Sequence, residues 1–331
     1  ALGEKQQALE YYQQALSLLQ AVGDRAGEAA TLNNIGHVYA DLGDKQQALE
    51  YYQQALSLAQ AVGNRDLEST IFNNVSAVSA GIETEQTTIA QTDKRAEAER
   101  LSNQGMQLFQ QGTAESLQQA IEKWETALPL WREMGDKSKE AAINLALGRA
   151  YNSLRFKQKA LDYYNQALFL YQTLEDRDQE TGILINIGVI YSDLGEKQRT
   201  LEYYQKALLL SQAVGDRTGE VAILNNIGSV YSDLGEKQKA LEYFQQALPL
   251  TQAVDDRTGE AIILNNIGSV YDYLGEKQQS LEYYQQALSF SQAVGDRATA
   301  AGILNNIGRV YDALGEKQQA LDYYQQALPL R

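Results

Sequence analysis

Cysteine is absent from the 331-residue chain, which excludes disulfides, thiolate metal sites and a cysteine nucleophile. Histidine occurs once, at His37, so a catalytic triad or a histidine metal site would depend on that residue alone. Only three prolines interrupt the chain, and this scarcity favours uninterrupted helix. No apolar run approaches the ~20 residues that cross a bilayer, so we expect no membrane insertion.

Positive charge is also scarce. The chain has 28 Lys and Arg against 43 Asp and Glu, and its formal net charge is −15. Such a surface repels phosphate groups, so we expect no nucleic-acid partner. The sequence has no glycine-rich phosphate-binding loop and no calcium-loop spacing, so we expect no cofactor and no enzymatic activity. Because a cysteine-free chain folds in either redox state, the composition indicates no compartment.

A repeat is the dominant feature of the sequence. One segment begins at Leu224 and reads LNNIGSVYSDLGEKQKALEYFQQALPL. It recurs with few changes at Leu32, Leu264 and Leu304. From Leu224 onward the step is 40 residues. A period of this length is typical of an array of stacked supersecondary units, each burying its apolar face against its neighbours.

Each unit contains two apolar patterns with helical spacing. Leu224, Ile227 and Tyr231 recur at three or four residues, and a second set follows after the LGEK stretch. Gly235 is placed to end the first helix in the left-handed conformation, and Asp216 to cap its start. The sequence therefore predicts a helix-turn-helix unit in which small residues alternate with large ones.

The stretch NNIGSVYSDLGEKQKALEYFQQAL resembles the tetratricopeptide repeat (TPR). Its long period is similar to that of kinesin light chains. Its residue sequence is similar to that of repeat arrays in cyanobacterial proteins, and those arrays often precede a caspase-like CHAT domain. The resemblance implies an all-α, right-handed α-solenoid of TPR helix-turn-helix repeats. It also implies a non-enzymatic protein-interaction scaffold; catalytic residues of any CHAT domain would lie outside this sequence.

The pattern breaks once. Residues 81–93 are rich in Thr, Gln and Glu, lack the expected second helix, and are predicted to be a linker or loop. We therefore expect an N-terminal array at residues 1–80 and a C-terminal array of about six repeats at 94–331. Two interpretations remain: a diverged repeat containing a loop, or a junction between two arrays.

Paired asparagines are the candidate binding residues. Asn is a poor helix former, yet the pairs lie in the middle of a predicted helix. The resemblance implies that this helix lines a concave groove, where an amide can donate to and accept from an extended peptide. Alternatively, one Asn of each pair bonds to the next helix of the array. The candidate groove residues are Asn34, Asn74, Asn186, Asn225, Asn226, Asn265, Asn266, Asn305, Asn306, Ser229, Ser269, Arg309 and Asp233.

The ligand's charge is predicted from the same helices. Some TPR proteins clamp a carboxylate of the ligand with Lys or Arg. In this chain the corresponding sites hold small or apolar residues: Gly182, Ala222, Ile262 and Gly302. An Asp near the end of each predicted first helix should make the groove partly acidic. We therefore expect a protein or peptide partner that is neutral or basic.

Self-assembly is the alternative function. The terminal segments ALGEKQQALEYYQQAL, at residue 1, and ALGEKQQALDYYQQAL, at residue 313, are nearly the same and lack polar capping helices. Open solenoid ends of this kind can stack head to tail into filaments. The alternative is therefore a structural protein that associates through its terminal helices.

Overall fold

The computed structural model describes residues 2–330, and the side chains of residues 3–330. About 89% of the chain is helical, and the described part contains no strand. The helices are α1 (Leu2–Val22), α2 (Arg25–Leu42), α3 (Lys45–Val62), α4 (Arg65–Gln111), α5 (Ala114–Glu133), α6 (Lys137–Ser153), α7 (Lys157–Thr173), α8 (Arg177–Asp193), α9 (Lys197–Val214), α10 (Arg217–Asp233), α11 (Lys237–Ala253), α12 (Arg257–Leu274), α13 (Lys277–Ala293), α14 (Arg297–Ala313) and α15 (Lys317–Ala327), with a 3-10 turn at Leu328–Leu330.

The expected all-α fold of TPR helix pairs is confirmed. The first helices of the pairs are α2, α6, α8, α10, α12 and α14, and each packs against the second helix that follows it. Each second helix then packs against the next first helix, as α11 does with α12 and α13 with α14. In the C-terminal part, α10 also contacts α12, and α12 contacts α14, so that the middle of consecutive first helices lies side by side.

The described chain forms two compact units, Ala1–Glu97 and Ala98–Arg331. The prediction of a loop over residues 81–93 is wrong, because that segment lies inside the continuous helix α4. Thr84, Thr88 and Thr92 each donate a hydroxyl hydrogen bond to the carbonyl four residues earlier, so the polar run that suggested a loop is accommodated in the helix. The predicted array boundaries at residues 80 and 94 stay a prediction.

Aspartates start the first helices. In α10, Oδ1 of Asp216 accepts a hydrogen bond from the amide of Gly219 at 2.9 Å, and Asp296 caps α14 through the amide of Thr299 at 3.0 Å. These amides have no partner within the helix, so the side-chain cap stabilises its first turn. Donation from the Thr299 backbone also lowers the pKa of the Asp296 carboxyl.

A glycine notch joins the two helices of each pair. A methyl group added at Gly228 would lie 2.6 Å from the ring of Phe244, and the other pairs have the same contact at 2.5–2.8 Å. The aromatic ring is therefore seated directly on the backbone of the first helix. The glycine–aromatic pairs are Gly36–Tyr52, Gly148–Tyr164, Gly188–Tyr204, Gly228–Phe244, Gly268–Tyr284 and Gly308–Tyr324.

The notch is missing from the N-terminal half of α4. Ser76 stands where the other first helices have glycine, and no second helix with an aromatic residue follows it. Phe72, which corresponds to the buried Leu32 of α2, is 60% exposed. Further along α4, Gly105 supplies a notch for the indole of Trp124 on α5. The irregular stretch is thus a first helix that continues, within α4, into the first helix of the following pair.

The tyrosine pairs of the second helices are mainly structural. Tyr204 and Tyr284 are buried, and burial raises the pKa of the equivalent Tyr164 to about 12. The preceding tyrosine of each pair stacks on a tyrosine of the first helix, as Tyr203 does on Tyr191 with ring centroids 5.4 Å apart. These stacked rings cover the seam between the two helices.

The glycine notch predicts opposite effects for two Gly→Ala substitutions. Gly228→Ala should lower the free energy of unfolding by about 1–3 kcal/mol, because its methyl group collides with the Phe244 ring. Gly182→Ala is the control, since nothing lies within 4 Å of its new methyl group. It should raise stability by up to about 1 kcal/mol through helix propensity. Urea unfolding followed by circular dichroism measures both, and equal effects would contradict the notch.

A second stability prediction concerns Asn144 of α6. This residue is fully buried, and neither its Nδ2 nor its Oδ1 has a hydrogen-bond partner in the described chain. Leu occupies the same place at Leu184, Leu224 and Leu264. Asn144→Leu should therefore raise the free energy of unfolding by about 1–3 kcal/mol, because it removes an unpaired buried amide. A loss of stability in the same urea experiment would show that the amide has a structural role.

Candidate functional site

The paired asparagines form cross-links between consecutive units. Nδ2 of Asn266 on α12 donates to Oδ1 of Asn225 on α10 at 2.8 Å, and Nδ2 of Asn306 on α14 donates to Oδ1 of Asn265 at 3.0 Å. In each link the second Asn of one unit reaches back to the first Asn of the unit before it. This is the alternative in which the pairs bond within the array, and it explains what offsets the low helix propensity of Asn.

The same cross-link joins α2 and α4 in the N-terminal unit. Nδ2 of Asn74 donates to Oδ1 of Asn33 at 2.9 Å, and Nδ2 of Asn74 also lies 3.2 Å from Nε2 of His37. His37 stands edge-on to the ring of Tyr52, with centroids 5.5 Å apart. The contacts shown for the single histidine are therefore with Asn74 and Tyr52, both of which have structural roles.

The series of links is interrupted at α8. Ile185 occupies the position from which Asn225 and Asn265 accept, so the amide of Asn226 has no asparagine to bond. For Asn186, the corresponding position one unit earlier is Leu145, which offers no acceptor on its side chain. Neither Asn186 nor Asn226 has a side-chain hydrogen bond to any residue that the structure describes, and both are half-buried. Two amides with full hydrogen-bonding capacity therefore lie on neighbouring first helices.

The remaining predicted site residues differ in their surroundings. Asn34 is exposed, and Nδ2 of Asn305 donates to the carbonyl of Ala301 at 2.7 Å. The hydroxyl of Ser229 donates to the carbonyl of Asn225 at 2.9 Å. Ser269 is exposed. Of the thirteen predicted residues, the structure therefore leaves Asn186 and Asn226 as the half-buried amides with no internal partner.

The predicted acidic row is largely neutralised. Nζ of Lys197 lies 2.9 Å from a carboxylate oxygen of Asp233, and Asp193 pairs in the same way with Lys157. Asp272 receives both Lys277, at 2.6 Å, and Arg309, at 3.0 Å. These ion pairs remove the free carboxylates on which the expectation of a basic ligand was based.

Shallow clefts separate the first helices on the asparagine-bearing face. One of about 280 Å³ lies between α10 and α12 and is lined by Asn225, Asn226 and Ile262, among others. A second cleft, between α8 and α10, includes Gly182 and Ile185. A third is formed by Ser229, Ser232, Asp233, Phe244, Asn266 and Ser269. The clefts lie between consecutive first helices and are open to solvent.

Two negative observations apply to the described residues. No group of three His, Asp or Glu side chains there is arranged to hold a metal ion. None of the described helices combines the length and the apolar character needed to span a bilayer.

The repeat pattern and the helix pairs agree with a known family. The sequence model of the tetratricopeptide repeat family matches residues 1–61, 180–253, 238–293 and 259–331, which is more than half of the chain. The chain belongs to the tetratricopeptide repeat family. The TPR fold is in general a protein-interaction fold without catalytic groups of its own. No curated protein matches this sequence significantly.

Solved structures share the TPR architecture at low sequence identity. The TPR sensor-containing STAND protein, a signal transduction ATPase with numerous domains from Pyrococcus horikoshii, has a TM-score of 0.63 and 14% identity over 98% of this chain and 53% of its own. Aspartyl phosphate phosphatase F from Bacillus subtilis has a TM-score of 0.57 and 16% identity, over 100% and 94% of the two chains. A Podosopora anserina protein of the kinesin light chain type, with nearly identical TPR-like repeats, has a TM-score of 0.50 and 15% identity, over 60% and 98%. At these identities the likeness shows the fold alone.

The sequence analysis did not identify the two apolar residues that distinguish the surroundings of the unpaired amides. Ile185 and Ile262 are not polar and were not candidates for binding, although both depart from the repeat: Ile185 replaces Asn, and Ile262 replaces Ala or Gly. Alignment of the units against each other displays both departures. The direction of the asparagine links, from each unit back to the one before, is not visible in the sequence.

The links predict different roles for two equivalent asparagines. Asn266→Ala should lower the free energy of unfolding by about 1 kcal/mol, because it leaves Oδ1 of Asn225 without its donor. Asn226→Ala should change stability by less than about 0.5 kcal/mol, since no bond is lost. Urea unfolding of both variants tests this. Equal destabilisation would mean that Asn226 also bonds within the array.

Proposed function

We propose that this TPR array is a non-enzymatic scaffold that holds an extended peptide segment of a partner protein against the asparagine-bearing face of its first helices. The single observation that carries the proposal is the presence of unpaired, half-buried amides, Asn186 and Asn226, on neighbouring first helices. An amide with a free donor and a free acceptor matches the peptide group, so it can bind main chain with little dependence on side-chain sequence.

The arrangement of the units supports the same proposal. The hydrogen-bonded links between α10, α12 and α14 hold these helices in a fixed register. A rigid surface lowers the entropy lost when a peptide is bound, because the binding groups are already in place. Asn226, on α10, therefore lies at the edge of a preorganised part of the face.

A binding experiment with the full chain tests the proposal. A phage-displayed library of random dodecapeptides is selected on the protein, and affinities of enriched peptides are measured by fluorescence polarisation. Asn226→Ala should weaken binding about 5- to 10-fold through loss of hydrogen bonds to the peptide. The control Gln212→Ala alters a polar residue of the second helix α9 whose amide bonds only to Glu220 at 2.8 Å, and should bind normally. No enriched peptide, or no difference between the variants, would overturn the proposal.

Self-assembly is the second candidate function, and exposed apolar side chains at the terminal helices favour it. Leu18 of α1 is 69% exposed, and Leu321 of α15 is 47% exposed, although the equivalent Leu281 is 5% exposed. However, residues 5–18 repeat residues 45–58 of α3 without a change, so α1 and α15 are both second helices. Contact between α1 and α15 would join two second helices, whereas the array alternates first and second helices, so such a contact would not continue the repeat.

Light scattering across a concentration series separates the two functions. A scaffold should keep the mass of a monomer at every concentration. If the mass rises with concentration and Leu321→Glu reverses the rise, the terminal helices are the working surface and the self-assembly candidate is the better description. Leu209→Glu serves as the control, since Leu209 is 68% exposed on α9, away from both ends.

A further inference from the structure

One cleft combines an unpaired amide with an exposed aliphatic side chain. The cleft of about 280 Å³ between α10 and α12 contains Asn226, which lacks a partner because Ile185 interrupts the links. It also contains Ile262, which is 38% exposed. An exposed Ile beside a free amide can contact an apolar side chain and the main chain that carries it at the same time.

Ile262 is an exception within the array. The equivalent residues of the other units in the C-terminal array are Ala142, Gly182, Ala222 and Gly302, none of which offers an aliphatic surface of this size. Ala222 lines the same cleft from α10, opposite Ile262. The apolar surface and the free amide arise from two independent departures from the repeat. Ile185 lies in the adjoining cleft, but the amide that it leaves unpaired, Asn226, lines this cleft together with Ile262.

The charged residues that line the cleft indicate which charge the partner carries there. Asp256 lines it, and no Lys, Arg or His is among the residues that form it in the described structure. The adjoining cleft between α8 and α10 is lined by Asp178 and Asp216, again with no basic residue. Asp193 and Asp233 pair with lysines, whereas Oδ1 of Asp216 and Oδ1 of Asp256 each accept a hydrogen bond from a backbone amide at a helix start. A basic group is therefore complementary to this stretch of the face.

We propose that the α10–α12 cleft is a specificity subsite that takes one aliphatic side chain of a bound peptide next to a basic residue. This inference rests on the proposed peptide-binding function and assigns its selectivity to a single place. The aliphatic side chain packs between Ala222 and Ile262, the amide of Asn226 bonds the peptide group beside it, and the basic residue lies toward Asp256 or Asp216. The cleft volume admits one side chain with its main chain, which limits the subsite to a single residue.

Substitution at Ile185 gives a test that leaves the cleft itself untouched. Ile185→Asn recreates the accepting side chain of the other units, so Asn226 should form the link seen between Asn266 and Asn225. The amide would then be occupied within the array and withdrawn from the peptide. We expect peptide affinity to fall about 5- to 10-fold in a variant that still unfolds cooperatively, because the new link offsets part of the apolar contact that Ile185 makes with the core.

Substitution at Ile262 tests the aliphatic contact. Peptides enriched on the parent chain should share one aliphatic position beside Lys or Arg. Ile262→Ala should weaken their binding about 10-fold, by loss of apolar contact in the cleft. Leu209→Ala removes an equally aliphatic but remote side chain that is 68% exposed, and should leave binding unchanged. Replacing the peptide's aliphatic residue by Ala should have no further effect on the Ile262→Ala variant, as expected for two groups in direct contact.

The outcomes distinguish the subsite from the function on which it rests. If no peptide is enriched at all, the proposed peptide-binding function fails. If peptides are enriched but bind Ile185→Asn and Ile262→Ala as tightly as the parent chain, the function stands and the subsite is overturned. Enrichment of peptides without an aliphatic residue, or with acidic residues in place of basic ones, would overturn the subsite in the same way. Weaker binding by both variants, a shared aliphatic-basic motif and a fall in affinity with added salt would support it.

Discussion

The contact between a glycine of the first helix and an aromatic ring of the second is the constraint on which this array depends. It places the ring of Phe244, or its tyrosine equivalents, on the backbone of the partner helix, where a methyl group would already collide. That close approach sets the distance between the two helices and buries the ring in every pair except Gly308–Tyr324, where the ring is half-buried. Where the glycine is replaced by Ser76, the pair does not form, and the chain continues as a single helix through residues 65–111. One residue type thus marks where the array is regular and where it is not.

The asparagine links depend on that register. Because the helix pairs repeat with the same spacing, the second Asn of each unit can reach the first Asn of the unit before, at 2.8–3.0 Å in all three links. Such links use side chains that would otherwise destabilise the helix and bond the units to one another. Their interruption by Ile185 creates the unpaired amide at Asn226. A binding face can therefore arise in a repeat array through loss of an internal bond, with no new polar residue added.

Several features could be predicted from residues alone because they depend on local spacing. The helix pairs, their aspartate caps and left-handed glycine ends, and the burial of the second tyrosine of each pair follow from periodicities of three and four residues and from turn chemistry. The segment 81–93 could not be predicted in this way. Its threonines suggested a loop, yet hydroxyl bonds to carbonyls such as that of Ala80 allow them in a helix. The acidic row was also misleading, since lysines of other helices pair with Asp193 and Asp233.

By itself, the sequence determined that the chain is an array of helix pairs, because a repeat of this length with alternating small and large residues can bury its apolar faces only by stacking. It also determined which residue types recur on the first helices. Only the tertiary structure decided which asparagines are hydrogen-bonded within the array and which have no internal partner. Hydrogen bonds between residues 41 positions apart depend on how neighbouring units pack. The same packing brings Ile262 of one unit beside Asn226 of the unit before it, a proximity that no local pattern contains.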